Sequence, residues 1–164
     1  EKLQRPQSAA TTLVPAARWW RELGERLGDD DIALEARIDD GEQPLPGECL
    51  DSIVDNLVDN ARHKLAAGQA RGLALKLVVE NGTLRLEVRD DGQAIDDHIA
   101  RQLFQRPVPS RTGLGIGLYQ AAELARRHGC GLRLAANVDG EVCFELTCAR
   151  SAAATAAVPP TPCG

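Results

Sequence analysis

The chain has 164 residues, a net charge of −5, and apolar and charged fractions typical of one soluble globular domain. The negative charge and the absence of a basic stripe with interleaved aromatic residues argue against a nucleic-acid partner. The longest apolar runs are far too short to cross a bilayer and no signal peptide opens the sequence, so we expect a soluble protein.

Five cysteines are present, and none of them forms a C-x-x-C pair. They are Cys49, Cys130, Cys143, Cys148 and Cys163. The odd number and this spacing predict reduced thiols rather than a disulfide framework or a zinc site.

The two ends of the chain differ in composition from its middle. Residues 1–10 are polar and aperiodic, and residues 151–164 are rich in Ala, Pro and Thr. We therefore expect a flexible N-terminal segment, an ordered domain over residues 11–150 and a disordered C-terminal tail.

Hydrophobic periodicity predicts the elements of the ordered domain in chain order. A helix is expected over residues 18–27, where apolar residues recur about every fourth position, and a strand over residues 31–38, where they alternate. Residues 41–47 form a turn-rich break. Residues 48–66 then follow the 3.6-residue period closely, which predicts a long helix.

Two hairpins complete the predicted sheet. Residues 72–90 alternate on either side of an Asn-Gly pair, the favoured sequence for a type I′ turn, and residues 132–146 alternate around an Asp-Gly pair. Between them, residues 115–128 predict a helix that ends in basic residues followed by glycine. Tight hairpins predict a mixed, mostly antiparallel sheet with three helices on one face, which is a two-layer α+β sandwich.

The long helix carries polar residues on one side, in the stretch NLVDNARHK. Asn56 and Asn60 are one turn apart, and His63 or Lys64 extends the same face by another turn. Asparagine is unusual inside a helix because its side chain competes for backbone hydrogen bonds. Its amide oxygen is a hard, neutral ligand that suits Mg²⁺. A solvated helix face would explain the same residues, so this motif alone leaves both interpretations open.

The first hairpin ends in a second motif, VRDDGQAI. Asp90 leaves the end of a strand, Gly92 provides a turn and Ile95 follows. A carboxylate in this position can accept a hydrogen bond from an exocyclic amine such as that of adenine, while Ile95 packs on the ring. An ordinary Asp-Gly turn would explain the same residues.

The third motif, RTGLGIGL, has glycines at alternate positions where a helix begins. A helix N-terminus presents unpaired N–H groups and the positive end of its dipole, and glycine lets a phosphate approach closely. The stretch lacks the Gly-Lys-Ser/Thr of a P-loop, and its glycine spacing differs from that of a Rossmann turn. The preceding loop, LFQRPVPS, can fold over a bound phosphate chain as a lid.

In this order and on these elements, the motifs resemble the ATP-binding catalytic domain of sensor histidine kinases. That domain has the Bergerat-type fold and belongs to a superfamily shared with DNA gyrase, a heat-shock chaperone and the mismatch-repair ATPases. The resemblance runs from about residue 11 to residue 150. NLVDNARHK resembles the N box, VRDDGQAI the first glycine box, LFQRP the F box and TGLGIGL the second glycine box.

The resemblance implies a role for each matching position. Asn60 corresponds to the asparagine that coordinates the Mg²⁺ bridging the phosphates, and Asn56 to the asparagine one turn earlier; these two are the implied catalytic residues. His63, with Lys64 as a substitute, stands where these kinases have a basic residue that reaches a phosphate. Asp90 corresponds to the carboxylate that binds the adenine amine. The other implied ATP contacts are Gly92, Ile95, Phe104, Arg111, Thr112, Gly113, Leu114, Gly115, Gly117 and Leu118.

The sequence departs from the family pattern at two of these motifs. Ala94 replaces the second glycine of the first glycine box, and because alanine favours negative φ we expect an altered turn and weaker ATP binding. Arg111 replaces a glycine that often opens the second box. We hypothesise that Arg111 reaches the γ-phosphate, which a comparison of ATP and ADP affinity in Arg111→Ala tests: loss of neither contradicts it. The lid region between Ile95 and Gly113 is also short for a kinase.

The resemblance also bears on the reaction. Hydrolysing relatives have a water-activating glutamate one turn before the metal asparagine, where this chain has Asn56, so we expect slow free hydrolysis. In the kinases the acceptor histidine lies on a separate dimeric helical hairpin, and none of His63, His98 and His128 is suitably placed to replace it. The implied activity is transfer of the γ-phosphate of ATP·Mg²⁺ to a histidine on the phosphoacceptor and dimerisation domain of the same polypeptide.

The implied partners are therefore that phosphoacceptor domain and a response regulator downstream. The expected location is the cytoplasm, and a parent protein anchored in the inner membrane is compatible with it. The parent kinase is expected to be a homodimer and the fragment a monomer. One alternative is a nucleotide-binding regulatory module with little or no phosphotransfer, which adding a purified acceptor hairpin would distinguish. Another is a serine kinase of the anti-sigma type, which a serine-containing antagonist protein would test.

Overall fold

A computed structural model describes residues 12–28, 32–105 and 114–149. In chain order its elements are β1 (Leu13–Pro15), α1 (Ala16–Leu27), β2 (Ile32–Ile38), β3 (Pro44–Pro46), α2 (Gly47–Ala66), β4 (Leu73–Glu80), β5 (Thr83–Asp90), α3 (Asp97–Ala100), α4 (Leu114–Arg127), β6 (Cys130–Val138) and β7 (Glu141–Cys148). The two expected tails, residues 1–10 and 151–164, lie outside the described residues, so the predicted domain boundaries stay predictions.

The main sheet has five strands in the order β2-β4-β5-β7-β6. Strand β2 runs parallel to β4, and the other pairings are antiparallel, so the predicted mixed, mostly antiparallel sheet is confirmed. In the β4–β5 turn, Asn81 and Gly82 have φ of 53° and 79°, the left-handed backbone that a type I′ turn requires.

The two faces of the sheet differ in character, as the alternation along β5 shows. Leu84, Leu86 and Val88 are buried in a core shared with α1, α2 and α4. Arg85 and Arg89, which alternate with them, form ion pairs with Glu87 on the opposite face. This alternation produces the predicted two-layer α+β sandwich and leaves the ends of the inner strands next to the helices.

Two features of the fold were not predicted. Strands β1 and β3 pair as a separate two-stranded antiparallel sheet. Strand β1 precedes α1, and β3 lies within residues 41–47, which the sequence predicts as a turn-rich break. Both strands contain proline, which cannot donate a ladder hydrogen bond, so the sequence pattern did not indicate them. A one-turn helix, α3, lies between β5 and α4.

The prediction of reduced thiols is wrong for one pair of cysteines. Cys130 and Cys148 form a disulfide, because the register of the β6–β7 hairpin places them directly opposite each other with Cα atoms 4.3 Å apart. Cys49 and Cys143 are free and buried, and burial raises the pKa of the Cys49 thiol to about 11. Cys163 lies outside the described residues. Among the helices that the structure describes, none is long and apolar enough to cross a bilayer.

Candidate functional site

Three polar side chains form a row along helix α2. Asn56, Asn60 and Lys64 are spaced by four residues, so they share one face beside the buried apolar stripe of the helix. Asn60 is only 5% exposed, and its amide nitrogen has no hydrogen-bond partner among the described residues. Because burying an unsatisfied polar group costs about 1–3 kcal/mol, such a group is typical of a site that a bound ligand completes.

The start of helix α4 lies close to the first residue of this row. A Cβ atom added to Gly117 would lie 3.1 Å from Oδ1 of Asn56, closer than ordinary van der Waals contact. Glycine at this position therefore lets the first turn of α4 pass beside the Asn56 amide. Leu118, the next residue, is 2% exposed and packs in the core, which anchors this end of the helix.

The structure describes only part of the predicted second glycine box. Leu114 and Gly115 belong to the first turn of α4. Arg111, Thr112 and Gly113 lie outside the described residues, so the hypothesis for Arg111 stays a prediction.

Asp90 ends strand β5 and is 3% exposed. Its Oδ1 atom accepts a hydrogen bond of 2.9 Å from the backbone N–H of Gly92. A Cβ atom on Gly92 would lie 2.8 Å from the carbonyl oxygen of Gln69 and 2.9 Å from Oδ1 of Asp90. Only glycine fits between these two oxygens, so the turn that holds the carboxylate depends on it.

Lys64 connects the helix row to this carboxylate. Its Nζ atom lies 3.2 Å from both Oδ1 and Oδ2 of Asp90, and the two side chains are 12% and 2% exposed. The polar row of α2 and the end of β5 therefore meet in one buried place. The sequence did not predict this pairing, because the two residues are 26 positions apart.

Asp91, the second acidic residue of the VRDDGQAI motif, has a structural role. Asp91 is exposed, and its Oδ1 atom accepts hydrogen bonds from the backbone N–H groups of Arg71, at 2.7 Å, and Gly72, at 3.1 Å. These hydrogen bonds lower the pKa of Asp91. Asp91 thus fixes the chain just before β4, whereas Asp90 faces α2.

The loop after Asp90 is hydrogen-bonded to the end of β6 and to the β6–β7 turn, which lie far from it in the sequence. The Asn137 side chain makes two hydrogen bonds to the backbone of Ile95: Oδ1 accepts from its N–H at 2.7 Å, and Nδ2 donates to its carbonyl at 2.8 Å. Asp139 accepts from the N–H of Ala94 at 2.9 Å. The N–H of Gly140 donates to the carbonyl of Gly92 at 2.8 Å. The sequence pattern identified Asp139 and Gly140 only as a turn and gave no signal for Asn137, so these anchoring residues were missed.

Ala94 adopts a backbone conformation that suits alanine. Among the described non-glycine residues, Asn81 alone has positive φ, so Ala94 lies outside the left-handed region. The expected alteration of the turn therefore costs no backbone strain at this position. Its expected effect on ATP affinity stays a prediction.

Three other predicted site residues occupy distinct surroundings. His63 is exposed, and its Nδ1 atom lies 2.8 Å from the carbonyl oxygen of Asp59 on its own helix, so Lys64 is the basic residue that faces Asp90. Ile95 is half-buried against the core. Phe104 packs edge-on against Phe144, with ring centroids 6.1 Å apart, which ties the segment after α3 to the sheet.

The chain belongs to a known family of nucleotide-binding domains. The family model described as "Histidine kinase-, DNA gyrase B-, and HSP90-like ATPase" matches residues 47–151, well over half of the chain. The match includes α2, the end of β5 and the start of α4, so it contains every element of the site described above. The predicted resemblance to histidine kinase catalytic domains is confirmed.

Two curated relatives are sensor proteins. The chain is 31% identical over 105 residues to "Sensor protein DivL" of Caulobacter vibrioides, an alignment that covers 63% of this chain and 13% of that protein. It is 30% identical over 131 residues to "Probable C4-dicarboxylate sensor kinase" of Halalkalibacterium halodurans, covering 77% of this chain and 24% of that protein. The chain thus spans less than a quarter of the length of either relative.

Solved structures of histidine kinases share the fold. The catalytic domain of histidine kinase ThkA superposes with a TM-score of 0.64 at 18% identity, covering 85% of this chain and 95% of that one. Full-length ShkA in complex with AMPPNP superposes with a TM-score of 0.66 at 17% identity, covering 87% of this chain and 32% of that one. At these identities the likeness establishes the fold alone.

The anchoring of the loop by Asn137 can be tested by its removal. Asn137→Ala is expected to lower the free energy of unfolding by about 1–3 kcal/mol, because it leaves the N–H and carbonyl of Ile95 without their partners. Asn137→Asp, which keeps an acceptor for the N–H, should lose less. Urea denaturation measures both, and equal stability of Asn137→Ala and the wild type would contradict the anchoring role.

Proposed function

We propose that this domain binds ATP with Mg²⁺ and supplies the γ-phosphate to a histidine on a separate phosphoacceptor and dimerisation domain of a two-component sensor kinase. The observation that carries the proposal is Asn60, a buried side chain whose amide nitrogen has no hydrogen-bond partner among the described residues. It shares a helix face with Lys64, the partner of Asp90. A buried amide and a buried carboxylate on adjacent elements provide contacts for the two ends of a nucleotide.

The base is assigned to the end of β5. The carboxylate of Asp90 is a hydrogen-bond acceptor fixed by the N–H of Gly92, which suits the exocyclic amine of adenine. Ile95 provides an apolar wall whose backbone is held by Asn137. The acceptor lies at the end of β5 and the wall on the loop that follows, and the backbone of that loop is anchored by Asn137 and Asp139.

The phosphates are assigned to the region between α2 and α4. The first turn of α4 presents backbone N–H groups, and Gly117 lets it approach Asn56 closely. An amide oxygen fits Mg²⁺, which takes most of its other ligands from phosphate and water, so Asn60 suits the role of its protein ligand. When bound, Mg²⁺ would neutralise part of the charge on the triphosphate.

The residues of α2 favour transfer over hydrolysis. Asn56, one turn before Asn60, has an amide that cannot take a proton from water, so no general base is placed there. Transfer forms a bond between an imidazole nitrogen and the γ-phosphorus as the bond to the β–γ bridging oxygen breaks, and ADP leaves with that electron pair. The domain contributes by positioning and by electrostatic stabilisation.

The proposed wider assembly is supported by the relatives, which are much longer sensor proteins. In the proposed parent kinase, the acceptor histidine lies elsewhere in the same polypeptide, the kinase is a homodimer, and a response regulator receives the phosphate. The isolated domain is a monomer that meets its ATP in the cytoplasm.

A second candidate is a nucleotide-binding regulatory module with little phosphotransfer. The ion pair between Lys64 and Asp90 favours it, because that carboxylate is already engaged within the chain. Incubation with radiolabelled ATP and a purified phosphoacceptor domain separates the two functions: the kinase labels the acceptor histidine, and the module does not.

The base pocket is tested by calorimetric titration of ATP and Mg²⁺. Asp90→Asn should weaken ATP binding at least about tenfold, since it replaces a charged acceptor by an amide that presents a donor as well. Asp59→Asn, the same chemical change at an exposed position on α2, serves as the control and should leave the Kd unchanged. Equal affinities of the wild type and Asp90→Asn would contradict the assignment of the base.

The metal assignment is tested by comparing ATP affinity in Mg²⁺ with that in EDTA. In Asn60→Ala the ratio of the two Kd values should fall towards one, because the protein ligand to Mg²⁺ is lost. The free energy of unfolding without nucleotide should stay within about 1 kcal/mol of wild type, since the amide nitrogen has no partner among the described residues that its removal would leave unpaired. A full Mg²⁺ dependence in Asn60→Ala would exclude this role.

A further inference from the structure

The carboxylate assigned to the base is already neutralised by the chain itself. Lys64 Nζ lies 3.2 Å from each carboxylate oxygen of Asp90, so the ammonium group faces the carboxylate centrally rather than at one oxygen. Oδ1 also accepts the N–H of Gly92 at 2.9 Å. With side-chain exposures of 12% and 2%, this ion pair is shielded from water.

An ion pair in this position competes with a ligand. Lys64 and Gly92 together use three of the about four acceptor sites of the Asp90 carboxylate. A base amine at the remaining site on Oδ2 would lie beside the ammonium group, whose charge repels its N–H, so strong binding requires Lys64 to move away. Separating a shielded pair is costly, because each charge loses its partner where water cannot replace it fully. The state that can accept a base is then only a fraction of the population, and the apparent Kd equals the intrinsic Kd divided by that fraction.

We propose that Lys64 is an internal competitor for the nucleotide base and thereby sets the affinity of this site for ATP. The proposal rests on the proposed function, since it takes Asp90 as the base acceptor. It differs in sign from the role implied by the family resemblance, in which Lys64 replaces His63 as a phosphate contact. A phosphate contact strengthens ATP binding, whereas a competitor weakens it.

The chain offers a matched control for the experiment. Lys76 lies 4.0 Å from Glu35 on the exposed face of the sheet, and its side chain is 38% exposed. Lys64→Met and Lys76→Met make the same chemical change in a shielded and in an exposed lysine–carboxylate pair. The exposed pair is expected to contribute little.

The experiment titrates wild type, Lys64→Met and Lys76→Met with ATP·Mg²⁺ and, separately, with adenosine. Lys64→Met should bind both ligands about five- to thirtyfold more tightly than the wild type, and Lys76→Met should be unchanged. Adenosine has no phosphate, so a gain with adenosine locates the competition at the base. Lys64→Gln removes the charge but keeps a hydrogen-bond donor, and it should also bind both ligands more tightly than the wild type. It replaces Lys64→Met in the experiment if that variant fails to fold.

Thermal unfolding provides a second readout. Lys64→Met should have a lower Tm than Lys76→Met without nucleotide, because Asp90 is left unpaired, and should show a larger rise in Tm when ATP·Mg²⁺ is added. If the ion pair were merely structural, its loss in Lys64→Met would lower the Tm without nucleotide but would not change the rise in Tm caused by ATP·Mg²⁺.

The outcomes separate this inference from the proposed function. Wild type that binds ATP, with Lys64→Met equal or weaker, overturns the competition and leaves the ATP site intact. Tighter binding of ATP alone, with adenosine unchanged, also overturns it, because the lysine would then act on the phosphates. Absence of ATP binding in all variants overturns the inference together with the ATP site itself.

Discussion

The site depends on one residue in the polar row of α2: Asn60 is buried, and its amide nitrogen has no hydrogen-bond partner among the described residues. An asparagine in a helix interior that faces the core normally carries a penalty, because its polar groups lose water. The apolar stripe of α2 offsets this cost, because Leu50, Ile53 and Leu57 are fully buried beside it. The fold holds the row in place, and the row leaves bonding capacity that a ligand can use.

Two glycines of the candidate site are required by the packing of the protein itself. Gly117 is required for packing, since a methyl group there would press on the amide of Asn56 before any ligand is considered. Gly92 is likewise required because two oxygens, of Gln69 and Asp90, converge on it. Both glycines thus allow polar atoms of the protein to come close to the backbone. A glycine-rich motif in this fold therefore shapes the protein side of the site as much as the ligand side.

The elements that could be predicted from the sequence are those with a local signal. The period of α2 and the alternation around Asn81-Gly82 depend on neighbouring residues, so the fold could be predicted. The family motifs lie within single elements, so the sequence also identified residues of the candidate site that the structure brings together, such as Asn56 with Gly117. What could not be predicted depends on pairs far apart in the chain. The contact of Lys64 with Asp90, the anchoring of Ile95 by Asn137 and the disulfide of Cys130 with Cys148 arise only once strands are in register. Local patterns carry no information about such pairs.

The anchoring of the loop after Asp90 also determines when the proposed base pocket can form during folding. The loop takes its hydrogen bonds from residues 42 and 45 positions later in the chain. Strand β5, which ends in Asp90, is the central strand of the sheet and gains its second neighbour only when β7 arrives. Closing contacts over such separations is entropically slow. A nascent chain that has not yet released the β6–β7 hairpin therefore lacks the anchors of this loop and has no complete place for the proposed base.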